Sequence, residues 1–262
     1  MVGERLEKGS AAAMIVVFFT IADPLYLADF FDRVFSEAGQ GAYAVCIVPA
    51  LYKSQSRLAA AWRFLSTFGV RSFLRLGVRE LTAVFRGRSI AKVCRARGIA
   101  CERVRDVNAP DFRAQLARMQ PDVVVSVGCP QIFQRELIQL PRKACLNVHG
   151  SILPRYRGVL PSFWMLANDE KEAGVSVHLV DEQIDAGDVC GQRVFEIPPN
   201  ESLDGLLRRS KVIAADLVVE VLEKLERGEL ARKPIDPNVG SYYSWPDRQA
   251  WRRLEATGHR LW

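Results

Sequence analysis

The chain has 262 residues, 49% of them hydrophobic and 25% charged, with a formal net charge of +6. That is enough for one large domain or two small ones with a sizeable core, and the composition excludes a disordered or fibrous chain. No apolar run reaches the roughly 18 residues of a membrane-crossing helix, and the opening MVGERLEKGSAAAMIVVFFT carries acids where a signal peptide would be purely basic.

Residues 1–13 are small and polar and are expected to form a disordered leader, with Met14 an alternative start. MIVVFFT (14–20) is a continuous apolar run, as a strand buried on both faces requires. Asp23-Pro24 then predicts an N-cap with proline at the first helical position, and a helix to about Ser36. YAVCIVP (43–49) is a second buried strand. Residues 55–86 form a basic, aromatic-bearing helical excursion, 88–98 another helix, IACERV (99–104) a short strand and 109–118 a helix. DVVVSVG (122–128) and KACLNVH (143–149) are strong buried strands. GVSVHLV (174–180) alternates and could pair with DVCGQRVFEI (188–197). Residues 201–230 make one long amphipathic helix, and the tail from about 240 is aromatic and basic. Strands alternating with helices imply an α/β fold with a doubly wound, mostly parallel sheet, whose ligands bind at the carboxyl ends of the strands. A catalytic unit is expected over 14–200, with 201–262 packed on it as a helix and tail.

None of the six cysteines forms C-x-x-C, and several sit in apolar runs. They read as buried thiols in a reducing cytoplasm, with neither a disulfide framework nor a zinc site. Histidine is scarce: His149, His178 and His259. The charge is uneven. Residues 51–97 hold eleven Lys/Arg and one acid, Glu80, so about +10 sits there and about −4 elsewhere. A helical pair packed on the core or on a dimer partner, a surface for an anionic acceptor, and interfacial membrane contact all fit that segment.

The strand ending at CLNVHG places Asn147 and His149 two residues apart, hence on one side of the sheet. An amide can donate to a developing oxyanion and an imidazole can donate or move a proton. N-x-H alone is unspecific, since an amide capping a strand end is common. Its context is not. NVHGSILPRYRG (147–158), preceded by DVVVSVGCPQIFQRELIQLP (122–141) and followed by GVSVHLVDEQIDAGDVCGQ (174–192), resembles the folate-dependent formyltransferases. Glycinamide ribonucleotide, methionyl-tRNA and sugar N-formyltransferases belong to that family. The resemblance covers residues 90–200 well and the first strands loosely.

It implies the formyltransferase Rossmann-like fold and a formyl group moved from N10-formyltetrahydrofolate to a primary amine, without a metal. Asn147, His149 and Asp185 match the family's catalytic trio. Asn147 would bind the tetrahedral oxyanion. His149, as imidazolium, would stabilise it and pass the amine proton to N10. Asp185 would raise the His149 pKa and orient the imidazole or a water. The pterin pocket carries over to Cys129, Pro130, Gln131 and Phe133 and to Val180, Asp181, Glu182, Gln183 and Ile184, ending at Asp185. His178 matches a second histidine often seen there; it is either a site residue or a strand histidine bonded to backbone or Asp185. The turn Ser151–Pro154 braces the strand end, and Arg155–Gly158 either touch an anionic acceptor or shape the loop. Tyr242, Tyr243, Trp245 and Trp251 either pack on the core or cover the acceptor.

FFTIADPLY has no glycine-rich phosphate loop, and Asp23 would repel a phosphate, so glycinamide ribonucleotide is disfavoured. The methionyl-tRNA enzymes carry a further C-terminal domain, whereas the residues after 200 here are expected to be mostly one helix. Formyl-folate hydrolases share the trio but carry an extra regulatory domain. The expectation is therefore a cytoplasmic enzyme of one-carbon metabolism, compatible with a homodimer. Its acceptor is a small anionic amine, a nucleotide-linked amino sugar first and methionine-bearing tRNA second. A folate-binding regulatory module without turnover is the alternative from another class.

Overall fold

In the computed structural model, which describes residues 13–39, 41–50 and 56–262, the first apolar run is β1 (Ile15–Ile21), an interior strand of a seven-stranded sheet. All but the last residue of the expected leader lie outside the described residues. Asp23 Oδ1 accepts from Leu25 N (2.7 Å) and Tyr26 N (3.2 Å), so it caps a turn at 24–26 and not the helix itself. Helix α1 (Leu27–Glu37) starts after that turn, with Pro24 outside it. There follow β2 (Ala42–Val48), α2 (Arg57–Phe85), α3 (Ile90–Ala96), β3 (Ala100–Arg103), α4 (Pro110–Arg118), β4 (Val123–Val127), α5 (Arg135–Ile138) and β5 (Ala144–His149). After β6 (Arg157–Gly158) and α6 (Pro161–Ala167) come the strands β7 (Glu172–Leu179) and β8 (Val189–Glu196). The chain ends with α7 (Leu203–Glu226), β9 (Tyr242–Tyr243) and α8 (Arg248–Ala256).

The sheet order is β3-β2-β1-β4-β5-β7-β8. The pairs from β3 to β5 are parallel, and β7 and β8 close the edge antiparallel. The chain runs outward from β1 through β2 and β3, then returns to build the other side from β4, so the crevice beyond the carboxyl ends lies at the reversal. Alternate residues of the apolar strands feed two cores. Val16, Phe18 and Val125 face α1 and α7, while Val17, Phe19 and Val124 face Leu116 of α4, Phe133 and Leu137. Each of these fully buried side chains contributes roughly 1.5–3 kcal/mol, which is why the strands read as unbroken apolar runs.

A third apolar cluster joins the body to the tail. Phe68 of α2 meets Phe163 of α6 edge-on at 5.8 Å and Trp251 of α8 at 5.7 Å, with Leu206, Leu254 and Leu261 buried around them. Tyr243 stacks on Trp164 (4.6 Å) and on Tyr156 (5.2 Å). The tail aromatics other than the exposed Tyr242 therefore pack as core. The basic excursion is a single helix by hydrogen bonding but breaks at Gly69, whose φ of 81° is open to glycine at little strain.

Candidate active site

Register places the polar residues in a row. Ser126 of β4 lies opposite Asn147 of β5, and Asn147 lies opposite His178 of β7. The row continues through Phe19 and Cys46 to Glu102 at the far edge, and its polar residues on β4, β5 and β7 lie side by side. A bulge between Val177 and His178 interrupts the β7–β8 ladder at this row, a common device for re-aiming a side chain beside a site.

Asn147 Nδ2 lies 3.1 Å from His178 Nε2 and donates to Asp185 Oδ1 at 3.2 Å. Ionised Asp185 can only accept, which fixes the amide with its nitrogen toward the carboxylate. His178 Nδ1 donates to the Leu179 carbonyl at 2.7 Å, which leaves Nε2 as the acceptor for Asn147. His149 Nε2 donates to the Tyr156 carbonyl at 2.8 Å, and its Nδ1 lies 3.5 Å from Asp185 Oδ2. That oxygen also accepts from Gly158 N at 2.9 Å. The trio expected from sequence is thus gathered around one carboxylate, with His178 as a fourth member.

Burial lowers the His149 pKa and outweighs the upward pull of Asp185 and of the Tyr156 carbonyl, so the resting imidazole is neutral. Burial alone would raise the Asp185 carboxyl, but His178, His149 and the Gly158 N–H together hold it at about 2. Asp185 sits at φ 51°, a left-handed conformation that an aspartate tolerates better than most residues.

Beside Asn147, His178 and Asp185 opens a cavity of about 130 Å³. Cys129, Gln131, Phe133 and every residue from Val180 to Asp185 line it. Pro130 does not; it is exposed on the turn after β4. His149 is not among the lining residues either; it is buried. The Gln131 side chain is spent on the wall: its Oε1 accepts from Val107 N and its Nε2 donates to the Arg105 carbonyl, each at 2.9 Å. Asn108 braces the same loop through the Ile132 carbonyl and Gln134 N, also at 2.9 Å. Among the described residues no cluster of three or more His, Cys, Asp or Glu could hold a metal ion.

The loop after β5 is tied down from two sides. Tyr156 N donates to Ser241 Oγ at 2.9 Å, and β6 pairs with β9. Gly158 has φ 94°, and a Cβ there would lie 2.2 Å from the Tyr243 carbonyl oxygen, so only glycine permits this approach. Arg155 pairs with Glu170, and Arg157 donates to the carbonyls of Pro237 (3.0 Å) and Ile184 (3.4 Å). Both arginines are engaged in shaping the loop.

A family model described as formyl transferase matches residues 83–222, more than half of the chain. The chain belongs to the formyl transferase family. It is 36% identical over 145 residues to a methionyl-tRNA formyltransferase of Geobacter metallireducens, a match covering 55% of this chain and 47% of that protein. The chain thus spans about half the length of the curated relatives it matches. The solved sugar N-formyltransferase of a Shewanella species superposes with a TM-score of 0.58 at 20% identity, over 88% of this chain and 76% of that one. An N-formyltransferase from Helicobacter canadensis, solved with folinic acid and dTDP-3-aminofucose, superposes with a TM-score of 0.57 at 18% identity, over 90% and 72%. These likenesses establish the formyltransferase fold.

Within that fold, Ser126 and Ile132 line the cavity though sequence reasoning passed over them. Ser126 becomes visible only once its register with Asn147 is known. Ile132 is 65% exposed, an isoleucine in the turn between Gln131 and Phe133. No described helix is long and apolar enough to cross a membrane.

Proposed function

We propose that the chain transfers a formyl group from N10-formyltetrahydrofolate to the primary amine of a small anionic acceptor, a nucleotide-linked amino sugar. The observation that carries this reading is the convergence of Asn147, His178 and Asp185 on a cavity walled by loops 129–133 and 180–185, with His149 buried 3.5 Å behind the Asp185 carboxylate. The cavity would take the pterin, with Ile132 and Ile184 as apolar walls and the loop backbones as hydrogen-bonding edges.

The chemistry follows from the proton positions. The attacking amine adds to the formyl carbon and the carbonyl oxygen becomes an oxyanion. Both hydrogens of Asn147 Nδ2 are engaged at rest, so Asn147 exchanges His178 for the oxyanion as charge develops. His149 is neutral with its Nε2 hydrogen held by Tyr156, so Nδ1 carries the lone pair, and it takes the amine proton. The imidazolium so formed lies 3.5 Å from Asp185, which stabilises it until the proton passes to the departing N10. His149 therefore acts as a base that becomes charged during the reaction.

The test is turnover of formyl-folate with a panel of amines, and loss of that turnover in Asn147→Ala with the fold intact. Folate binding without release of any deformylated product would establish a binding module instead. Methionyl-tRNA is the second reading, favoured by the 36% identical relative and by the basic segment. An RNA site built on that segment would lose affinity steeply with salt, with a slope of about −0.9 or less per phosphate contact. A sugar nucleotide held by one or two arginines would show a much shallower slope. Salt-suppressed formylation of charged initiator tRNA, lost on replacing Arg71, Arg75 and Arg79, would overturn the small-acceptor reading.

A further inference from the structure

The C-terminal half of α2 presents an apolar face to solvent. At about 100° per residue, Val70, Leu74, Val78, Leu81, Val84 and Phe85 fall within an arc of about 120°, and each is 57–82% exposed. The opposite face is anchored: Arg79 pairs with Asp204 and lies over Trp262 at 4.6 Å, and Ala83 is buried. Exposed apolar strips of this extent are rare without a partner.

Next to the strip opens a second cavity, of about 270 Å³, which shares Val78 with it. Four guanidinium groups line it, Arg79, Arg86, Arg88 and Arg208, against the single carboxylate of Asp204. Asp204 is shared between Arg79 and Arg208, and Arg88 pairs with Asp29. Arg86 has no ion-pair partner among the described residues. Arg71 and Arg75 flank the strip on the same side as Arg86.

We propose that this face of α2 is a membrane-surface site. The apolar strip enters the interface of an anionic bilayer, and the arginine cavity receives a phosphate-bearing lipid headgroup. Charge complementarity selects this occupant. A second copy on the same face would set Arg71, Arg75 and Arg86 against the same three cations. An anionic lipid surface instead matches both the apolar arc and its basic border. The site lies outside the formyl-transfer residues, and its test is independent of that activity.

The full chain is sedimented with vesicles of phosphatidylcholine alone and of phosphatidylcholine mixed with phosphatidylserine. Binding is expected with the mixed vesicles only. Leu74→Ser/Val78→Ser/Leu81→Ser, which keeps every charge, should weaken it roughly tenfold or more. Arg86→Gln should weaken it about fivefold, the share of one cation near an anionic surface. The replaced residues are exposed, and unchanged thermal melting confirms that the variants fold. The proposal is overturned by absence of binding, by equal binding to neutral vesicles, or by an apolar triple variant that binds like the parent. Inorganic phosphate bound in the cavity by a chain that ignores vesicles would likewise overturn it in favour of a free-anion pocket. So would a dimer in sedimentation equilibrium that the triple variant abolishes.

Discussion

Replacing Asp185 by Asn tests the proposed proton path most directly. Asparagine is tolerated at φ 51°, so the backbone should survive the change. The substitution removes the charge that faces His149 Nδ1 at 3.5 Å. At an effective dielectric of about 20, two unit charges at that distance attract by about 5 kcal/mol. That figure is an upper bound of about 3.5 decades in rate; solvent and backbone dipoles recover part of it, leaving an expected loss of about 10²–10³ in kcat/KM. The pH profile carries the decisive sign. A carboxylate favours the imidazolium, so removing it lowers the His149 pKa further. The acid limb of kcat/KM, where the base becomes protonated, should therefore move to lower pH. Stopped assays of formyl-folate consumption across the acid range would measure both effects. A variant with near-parental kcat/KM, or an acid limb displaced upward, would refute the role given to this pair.

The same carboxyl predicts an acid-stability signature. Its folded pKa of about 2 lies below the ordinary 3.8, so the stabilisation is present above that value and is lost as pH falls from about 4 through 2. The amount is about 2 kcal/mol, and denaturant titrations of the parent should show that loss while Asp185→Asn does not. Gly158→Ala should lower the melting temperature and kcat/KM together, since the new methyl meets the Tyr243 carbonyl and shifts the N–H that holds Asp185; a neutral variant would show that the β6–β9 contact is slack. Gln131→Leu should destabilise the chain by about 1–3 kcal/mol, by leaving the buried Val107 N without its acceptor and the Arg105 carbonyl without its donor. It should also weaken folate binding more than it slows turnover, and an unchanged folate affinity in calorimetry would sink the bracing role.

The parts legible in the sequence are those fixed by local pattern. Continuous apolar runs at 15–21, 42–48 and 123–127 could only be strands buried on both faces. The spacing of Asn147 and His149 placed them on one side of a strand end before any tertiary contact was known. Three helices escaped, among them the single turn α5. Helix α6 begins at Pro161 behind Leu160 at φ 52° and has no side-chain cap, so nothing polar announces it. Helix α8 did have a signal, Asp247, whose carboxylate accepts from Ala250 N at 2.7 Å, but the surrounding aromatics drew the reading toward packing alone. The Asp23-Pro24 pair misled in the opposite way, because a capping aspartate stabilises an isolated turn as readily as a helix start.

The protonation of His149 shows why the chemistry was less legible than the fold. The sequence supplies the carboxylate seven residues beyond His178, and a carboxylate near an imidazole raises its pKa. Whether that effect wins depends on how completely the imidazole is dehydrated. Here the Tyr156 carbonyl accepts from its Nε2 inside the buried loop, and Tyr156 is held in turn by Ser241, by Glu170 and by its stack on Tyr243. Those groups lie 21 to 94 residues away in the chain from His149, and no local pattern couples them. The tail that packs as core therefore bears on the loop beside this histidine. Loosening it, for example by Ser241→Ala, which leaves Tyr156 N without its acceptor, should admit water to His149 and raise its pKa toward the ordinary value. The acid limb of activity would then move up in pH, opposite to the shift in Asp185→Asn. If both variants moved it the same way, burial would not be what keeps this histidine neutral.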